Sequence, residues 1–69
     1  MKIIDQQGNE HFTHEVEFSG RIVKCTPDSN RRSREELGRY DSMKRAAEVM
    51  AEIYLLRSDG RNEYQMPKE

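Results

Sequence analysis

The chain alternates between short apolar runs and polar stretches, and the period of the apolar positions changes along it. Ile3-Ile4 form a brief apolar run that reads as the start of a strand. Asp5-Gln6-Gln7-Gly8-Asn9 follows as a turn, with Gly8-Asn9 suited to positive φ. From His14 the pattern alternates: Val16 and Phe18 point one way, Glu15 and Glu17 the other, as a half-buried strand requires. Ser19-Gly20 suits a tight hairpin turn. Residues 21–25 are again strand-like, either returning from that hairpin or running straight on. Residues 26–36 carry the turn formers Pro27, Asp28, Ser29 and Asn30 and offer no apolar anchor before Leu37, so they read as a loop. Residues 37–40 return to extended structure.

The period then becomes helical. Met43, Ala46, Ala47, Met50, Ile53 and Tyr54 fall on one face at i, i+3, i+4, i+7 spacing, with Asp41 or Ser42 as the N-cap. Lys44, Glu48 and Glu52 lie opposite. Glu48 and Glu52 are an unfavourable like-charge pair unless a base from elsewhere meets them. The helix is expected to end near Arg57, before Ser58-Asp59-Gly60. Residues 61–66 form a last short strand with Tyr64 and Met66 on one face, stopped by Pro67. The element order predicts a single α+β domain over 1–69: a small antiparallel sheet of about four to five short strands, packed by one amphipathic helix.

Composition adds a constraint. With 69 residues, 33% hydrophobic and 36% charged, and no Trp, the apolar supply is thin for a monomer. A lone cysteine, Cys25, excludes an internal disulfide, and with His11 and His14 it makes a poor zinc set; those two histidines, three apart, face opposite sides of a strand. Self-association as a homodimer or higher oligomer is the remaining device, through the outer sheet face or an edge strand. Residues 1–20 lack a signal-peptide pattern and no segment approaches a membrane span. The expectation is a cytoplasmic protein with a reduced thiol, no cofactor and no membrane partner.

Charge is unevenly spread. Residues 21–45 hold eight bases and four acids, a net +4, and the rest hold four bases and nine acids, a net −5. Such a split favours an anionic ligand at one surface or pairing of unlike surfaces, while a net charge of −1 argues against DNA as a partner. Two cation clusters stand out. Arg39, Lys44 and Arg45 flank the helix start, where free N–H groups attract anions and cations are otherwise disfavoured. Arg31, Arg32 and Arg34 lie in the central loop, and its length argues mildly for function. Tyr40, Tyr54 and Tyr64 are candidates to stack on a base; Tyr54 lies on the apolar helix face and belongs to the core, Tyr64 shares a strand face with Met66, and Tyr40 fits either role. The competing reading for both clusters is a solvated, ion-paired surface. No P-loop, Ser-His-Asp grouping or paired catalytic carboxylate is present, and Cys25 has no acid–base partner nearby in sequence, so an enzyme is not expected.

"MKIIDQQGN", "LGRYDSMKRAAEVMAEI" and "YQMPKE" together resemble a group of small bacteriophage and prophage proteins. These share an Ile-Ile strand start, a Tyr-Asp/Ser helix start and a Tyr-Gln-Met-Pro end. Lys44 and Arg45 stand where that group usually has acids, and residues 26–36 match nothing in it. The resemblance implies a counter-defence context: sequestration of a phosphorylated nucleotide signal in an oligomeric pocket, or inhibition of a host nuclease or immune effector by direct contact. It carries over no binding residue.

Overall fold

A computed structural model describes all residues, 1–69. The elements are β1 (Lys2–Ile4), β2 (Glu10–Ser19), β3 (Ile22–Pro27), β4 (Glu35–Arg39), α1 (Met43–Ser58) and β5 (Glu63–Gln65). They build a five-stranded sheet in the order β4-β3-β2-β1-β5 with one helix packed on it, the expected α+β class. The strands β1 to β4 pair antiparallel, while β5 returns from the helix to lie parallel to β1, so the sheet is mixed. Ser19 pairs with Ile22 across Gly20-Arg21, and Gly20 takes φ +59°, which resolves the two readings of residues 21–25 in favour of a hairpin.

The central loop is shorter than its composition suggests. Thr26 and Pro27 extend β3 and are buried, and β4 begins at Glu35. Pro27 ends its strand, where a missing N–H disturbs the ladder least. The remaining loop, residues 28–34, is folded into two turns: Asn30 N–H donates to Pro27 O at 3.2 Å and Ser33 N–H to Asn30 O at 3.1 Å. The argument for function from loop length therefore falls.

Alternation set the sheet face correctly. Val16 is buried while Glu15 and Glu17 are exposed, and Tyr64 and Met66 are both buried. The helix face is rotated from the expected one. Ala46, Val49 and Ile53 are buried, whereas Met43 is 59% and Tyr54 39% exposed. The reason lies in β2. Strand β1 ends opposite Glu10–Phe12, so the backbone of β2 beyond that point lacks a strand on that side. Tyr54 covers it instead: its hydroxyl donates to Val16 O at 2.9 Å and accepts from Val16 N–H at 3.4 Å. Arg57 donates to His14 O alongside. A tyrosine at a sheet edge keeps its ring partly wet, so Val49 takes the core position. The like-charge pair is also resolved, since Arg45 lies 3.6 Å from Glu48 and Tyr64 donates to Glu52 at 3.1 Å.

Eleven buried apolar residues form one cluster that draws on every strand and the helix, and no buried side-chain N or O lacks a partner. Burial alone therefore does not require a second copy. The outer sheet face is also far from bare. Lys2 sits 2.8 Å from Glu63, Arg34 pairs with Glu17 at 3.1 Å and Arg31 with Glu15.

The sheet curls enough for the end of β1 to reach the far strand β4, and Gln6 is the clasp. Its N–H donates to Leu37 O, its Oε1 accepts from Arg39 N–H at 2.8 Å, and its Nε2 faces the carbonyls of Arg39, Pro67 and Lys68 at 3.1–3.2 Å. Gly38 makes room for it: a Cβ there would lie 2.8 Å from Gln6 Cδ. Gly38→Ala is therefore expected to dislodge the Gln6 amide and lower stability by about 1–2 kcal/mol, the worth of one or two net hydrogen bonds. Urea denaturation checks this, and in a Gln6→Ala background the same substitution should cost little.

Candidate functional site

The two cation clusters do not converge. The loop carrying Arg31, Arg32 and Arg34 enters β4 at Glu35, and Arg39 leaves it at the other end, roughly 13 Å away along the strand. Most of these cations are held by acids of the same chain: Arg31 by Glu15, Arg34 by Glu17, and Arg39 by Glu36 at 3.0 Å. Arg45 donates to Glu69 O at 3.0 Å as well as approaching Glu48. Exposed pairs of this kind contribute about 0–1 kcal/mol each and leave their cations exchangeable. Arg32 and Lys44 are exposed without an acid partner, as is Arg21, which sequence inspection did not select.

Tyr40 is not a stacking platform. It is 5% exposed, and its hydroxyl donates to Pro67 O at 2.8 Å. Arg45 lies over its ring at 5.9 Å, so this pair ties the helix start to the C-terminal tail. Burial raises the Tyr40 pKa, and the Arg45 charge offsets part of that rise.

Ser42, not Asp41, caps the helix: its Oγ accepts from Arg45 N–H at 3.1 Å. The N–H groups of Met43 and Lys44 are left without a protein acceptor, and no acid occupies the first turn. Beside the preceding turn lies an open groove of about 480 Å³, bordered by Gly20, Arg21, Arg39, Tyr40 and Asp41. Arg21 and Arg39 are the cations in it.

A second cluster forms at the opposite end of β4. His11, Asp5, Cys25 and Glu35 come from four consecutive stretches of chain. Asp5 opens the β1–β2 turn, and its Oδ1 accepts from Gln7 N–H at 2.8 Å and Asn9 N–H at 2.9 Å. That fixes Oδ2 against His11 Nε2 at 2.7 Å. On the other side of the ring, His11 Nδ1 lies 2.9 Å from Glu35 Oε1. Cys25 pairs with Glu35 in the β3–β4 register and is fully buried. Burial alone would lower the His11 pKa, but the hydrogen bonds to Asp5 and Glu35 outweigh it and the net shift is upward. For Asp5, burial acts upward and is outweighed by His11 and the two backbone N–H groups, so its pKa is lowered. Burial and the Glu35 charge push the Cys25 thiol up to about 11.

His11 and His14 do face opposite ways, and exposed His14 pairs separately with Asp28 at 2.9 Å. Sequence inspection passed over the cluster because its members are 6 to 30 residues apart and only strand pairing joins them. The one available signal was parity: His11, Thr13, Cys25, Glu35 and Leu37 all sit at inward positions once the hairpins are registered. Comparison of the chain with protein-family models, with curated proteins and with solved structures returned no match, so its functional reading rests on its own geometry.

Proposed function

We propose that this chain is a non-enzymatic binding protein that captures a phosphorylated, nucleotide-class ligand at the groove beside the start of α1. A counter-defence protein sequestering a nucleotide signal in the bacterial cytoplasm is the setting this reading fits. The observation that carries it is the 480 Å³ groove, bordered by unpaired Arg21 and by Arg39 and ending at Asp41, two residues before the start of α1, where Lys44 is unpaired and two helix N–H groups are free. Phosphate oxygens accept from such N–H groups and from guanidinium forks, and both lower the cost of desolvating the anion. Arg39 can leave Glu36 for a phosphate at little cost, because that pair is solvated. The groove is open, and a second copy laid over it would complete the walls, so the reading includes a homo-oligomer.

Calorimetry against cyclic mono- and dinucleotides and ADP-ribose-type compounds tests it, with native mass spectrometry for subunit count. Micromolar binding that weakens at least tenfold in Arg21→Ala and Lys44→Ala supports the reading. Wild-type protein that binds none of these ligands removes it. Both substitutions lie on exposed, unpaired side chains and should change stability by less than about 0.5 kcal/mol.

A second reading, inhibition of a host protein by direct contact, draws on a different surface. Phe12 is 59% exposed on the outer sheet face, beside a hollow of about 430 Å³ bordered by Met1, Lys2, Asn62 and Glu63. An aromatic side chain ringed by charge is a common anchor in protein interfaces. Loss of a stoichiometric host partner on Phe12→Ser, with the fold intact, distinguishes this reading from the first.

A further inference from the structure

The Asp5–His11–Glu35–Cys25 cluster poses an electrostatic problem. Two backbone N–H groups donating to Oδ1 and the imidazole facing Oδ2 all favour the ionised form of Asp5, so Oδ2 accepts. His11 Nε2 must therefore carry a proton and donate it. In the neutral ring this leaves the Nδ1 lone pair aimed at the Glu35 carboxylate 2.9 Å away. Two electron-rich atoms at that distance require a cation between or on them. A second proton on the ring is one such cation. The other follows from what else is present: the Cys25 sulfur, with His11 Nδ1 and a Glu35 oxygen, completes a set of three donor atoms within 4.8 Å of one another.

We propose that His11, Cys25 and Glu35 bind one divalent metal ion of the zinc class, with Asp5 as the positioning residue that fixes the ring tautomer. Nitrogen, sulfur and oxygen donors together select a borderline ion such as Zn²⁺ or Co²⁺ over Mg²⁺ or Ca²⁺. Tetrahedral ligation needs donor atoms about 3.3–3.8 Å apart, given metal–ligand bonds of about 2.0–2.3 Å. The donor atoms, now within 4.8 Å of one another, would have to close to this spacing, and Glu35, whose side chain is 44% exposed, is the ligand with most freedom to adjust. The exposed side of Glu35 is also the entry path and leaves a fourth position for water. The charges balance: the ion displaces one proton from the ring and one from the thiol, so the net charge of the cluster is unchanged. The carboxylate–imidazole–metal order, with Asp5 outermost and itself held by backbone, is the usual support of a metal-binding histidine. This site is at the far end of β4 from the groove, and the inference stands whether or not the groove binds nucleotides.

Metal-free full-length protein titrated with Co²⁺ tests the inference. The expected result is a thiolate-to-cobalt charge-transfer band and visible d–d bands that saturate at one ion per chain and are displaced by Zn²⁺. Cys25→Ser should abolish the charge-transfer band. Glu35→Gln, at a half-exposed position, should fold normally and bind more weakly. Asp5→Asn keeps the turn acceptor but presents an NH₂ group to Nε2, which drives the ring proton onto Nδ1. It should lower cobalt affinity about 10–100-fold with an unchanged circular dichroism spectrum. Absence of the band in folded wild-type protein overturns the proposal. So does a band that saturates at half an ion per chain, which would signal two cysteines from two copies, or one that survives Glu35→Gln and Asp5→Asn unaltered.

Discussion

Replacing Ile53 by Ala is expected to lower the unfolding free energy by about 2–5 kcal/mol, the range for emptying a buried Ile position. Ile53 is 1% exposed at the centre of the helix face that packs across β2 and β3. A chain of this length has only about 3–10 kcal/mol in hand, at roughly 0.05–0.15 kcal/mol per residue. The substitution should therefore drop Tm by more than about 10 °C or prevent folding at ambient temperature. Thermal and urea denaturation measure it. Leu55→Ala is the control, since Leu55 is 64% exposed and its loss should cost less than about 0.5 kcal/mol. Equal costs at the two positions would mean that the helix does not bury Ile53 in preference to Leu55.

Asp5→Ala should cost about 2–3 kcal/mol by another route. It deprives Gln7 N–H, Asn9 N–H and His11 Nε2 of their acceptor in one step. Two of the three are backbone groups of the exposed turn residues Gln7 and Asn9, so the main penalty falls on the largely buried imidazole. Asp5→Asn retains the Oδ1 acceptor and should lose less than half as much. Urea midpoints give the stabilities, and nitrogen shifts of the His11 ring report the tautomer: protonated Nε2 in the metal-bound wild-type protein, protonated Nδ1 in Asp5→Asn. A wild-type ring carrying its single proton on Nδ1 would contradict the proposed role of Asp5 and weaken the metal assignment with it.

The two results concern different kinds of information. Val16, Phe18, Tyr64 and Met66 were assignable to faces from alternation, because strand geometry repeats every two residues whatever the neighbours do. The helix was assignable for the same reason at its own period, and Ser42 was one of two candidates for its cap. Its rotation was not assignable. Whether Tyr54 or Val49 enters the core depends on the short reach of β1, which leaves a length of β2 backbone for the Tyr54 hydroxyl to cover. The loop bounds failed similarly: Thr26 and Pro27 are buried by pairing with β2, which polar composition does not reveal.

The candidate sites divide along the same line. The uneven charge and the cations at the helix start are legible in the chain, since a count and a period are enough. That Arg31, Arg34 and Arg39 lean on Glu15, Glu17 and Glu36, and that Tyr40 is buried beneath Arg45, is decided by which strands adjoin. Local sequence by itself determined the elements, their order and the α+β class, because backbone periodicity and capping act over a few residues. Tertiary structure alone decided the parallel return of β5, the Gln6 clasp and the meeting of Asp5, His11, Cys25 and Glu35. Those depend on hydrogen-bonded register between distant strands, and no local pattern encodes which strand will lie beside which.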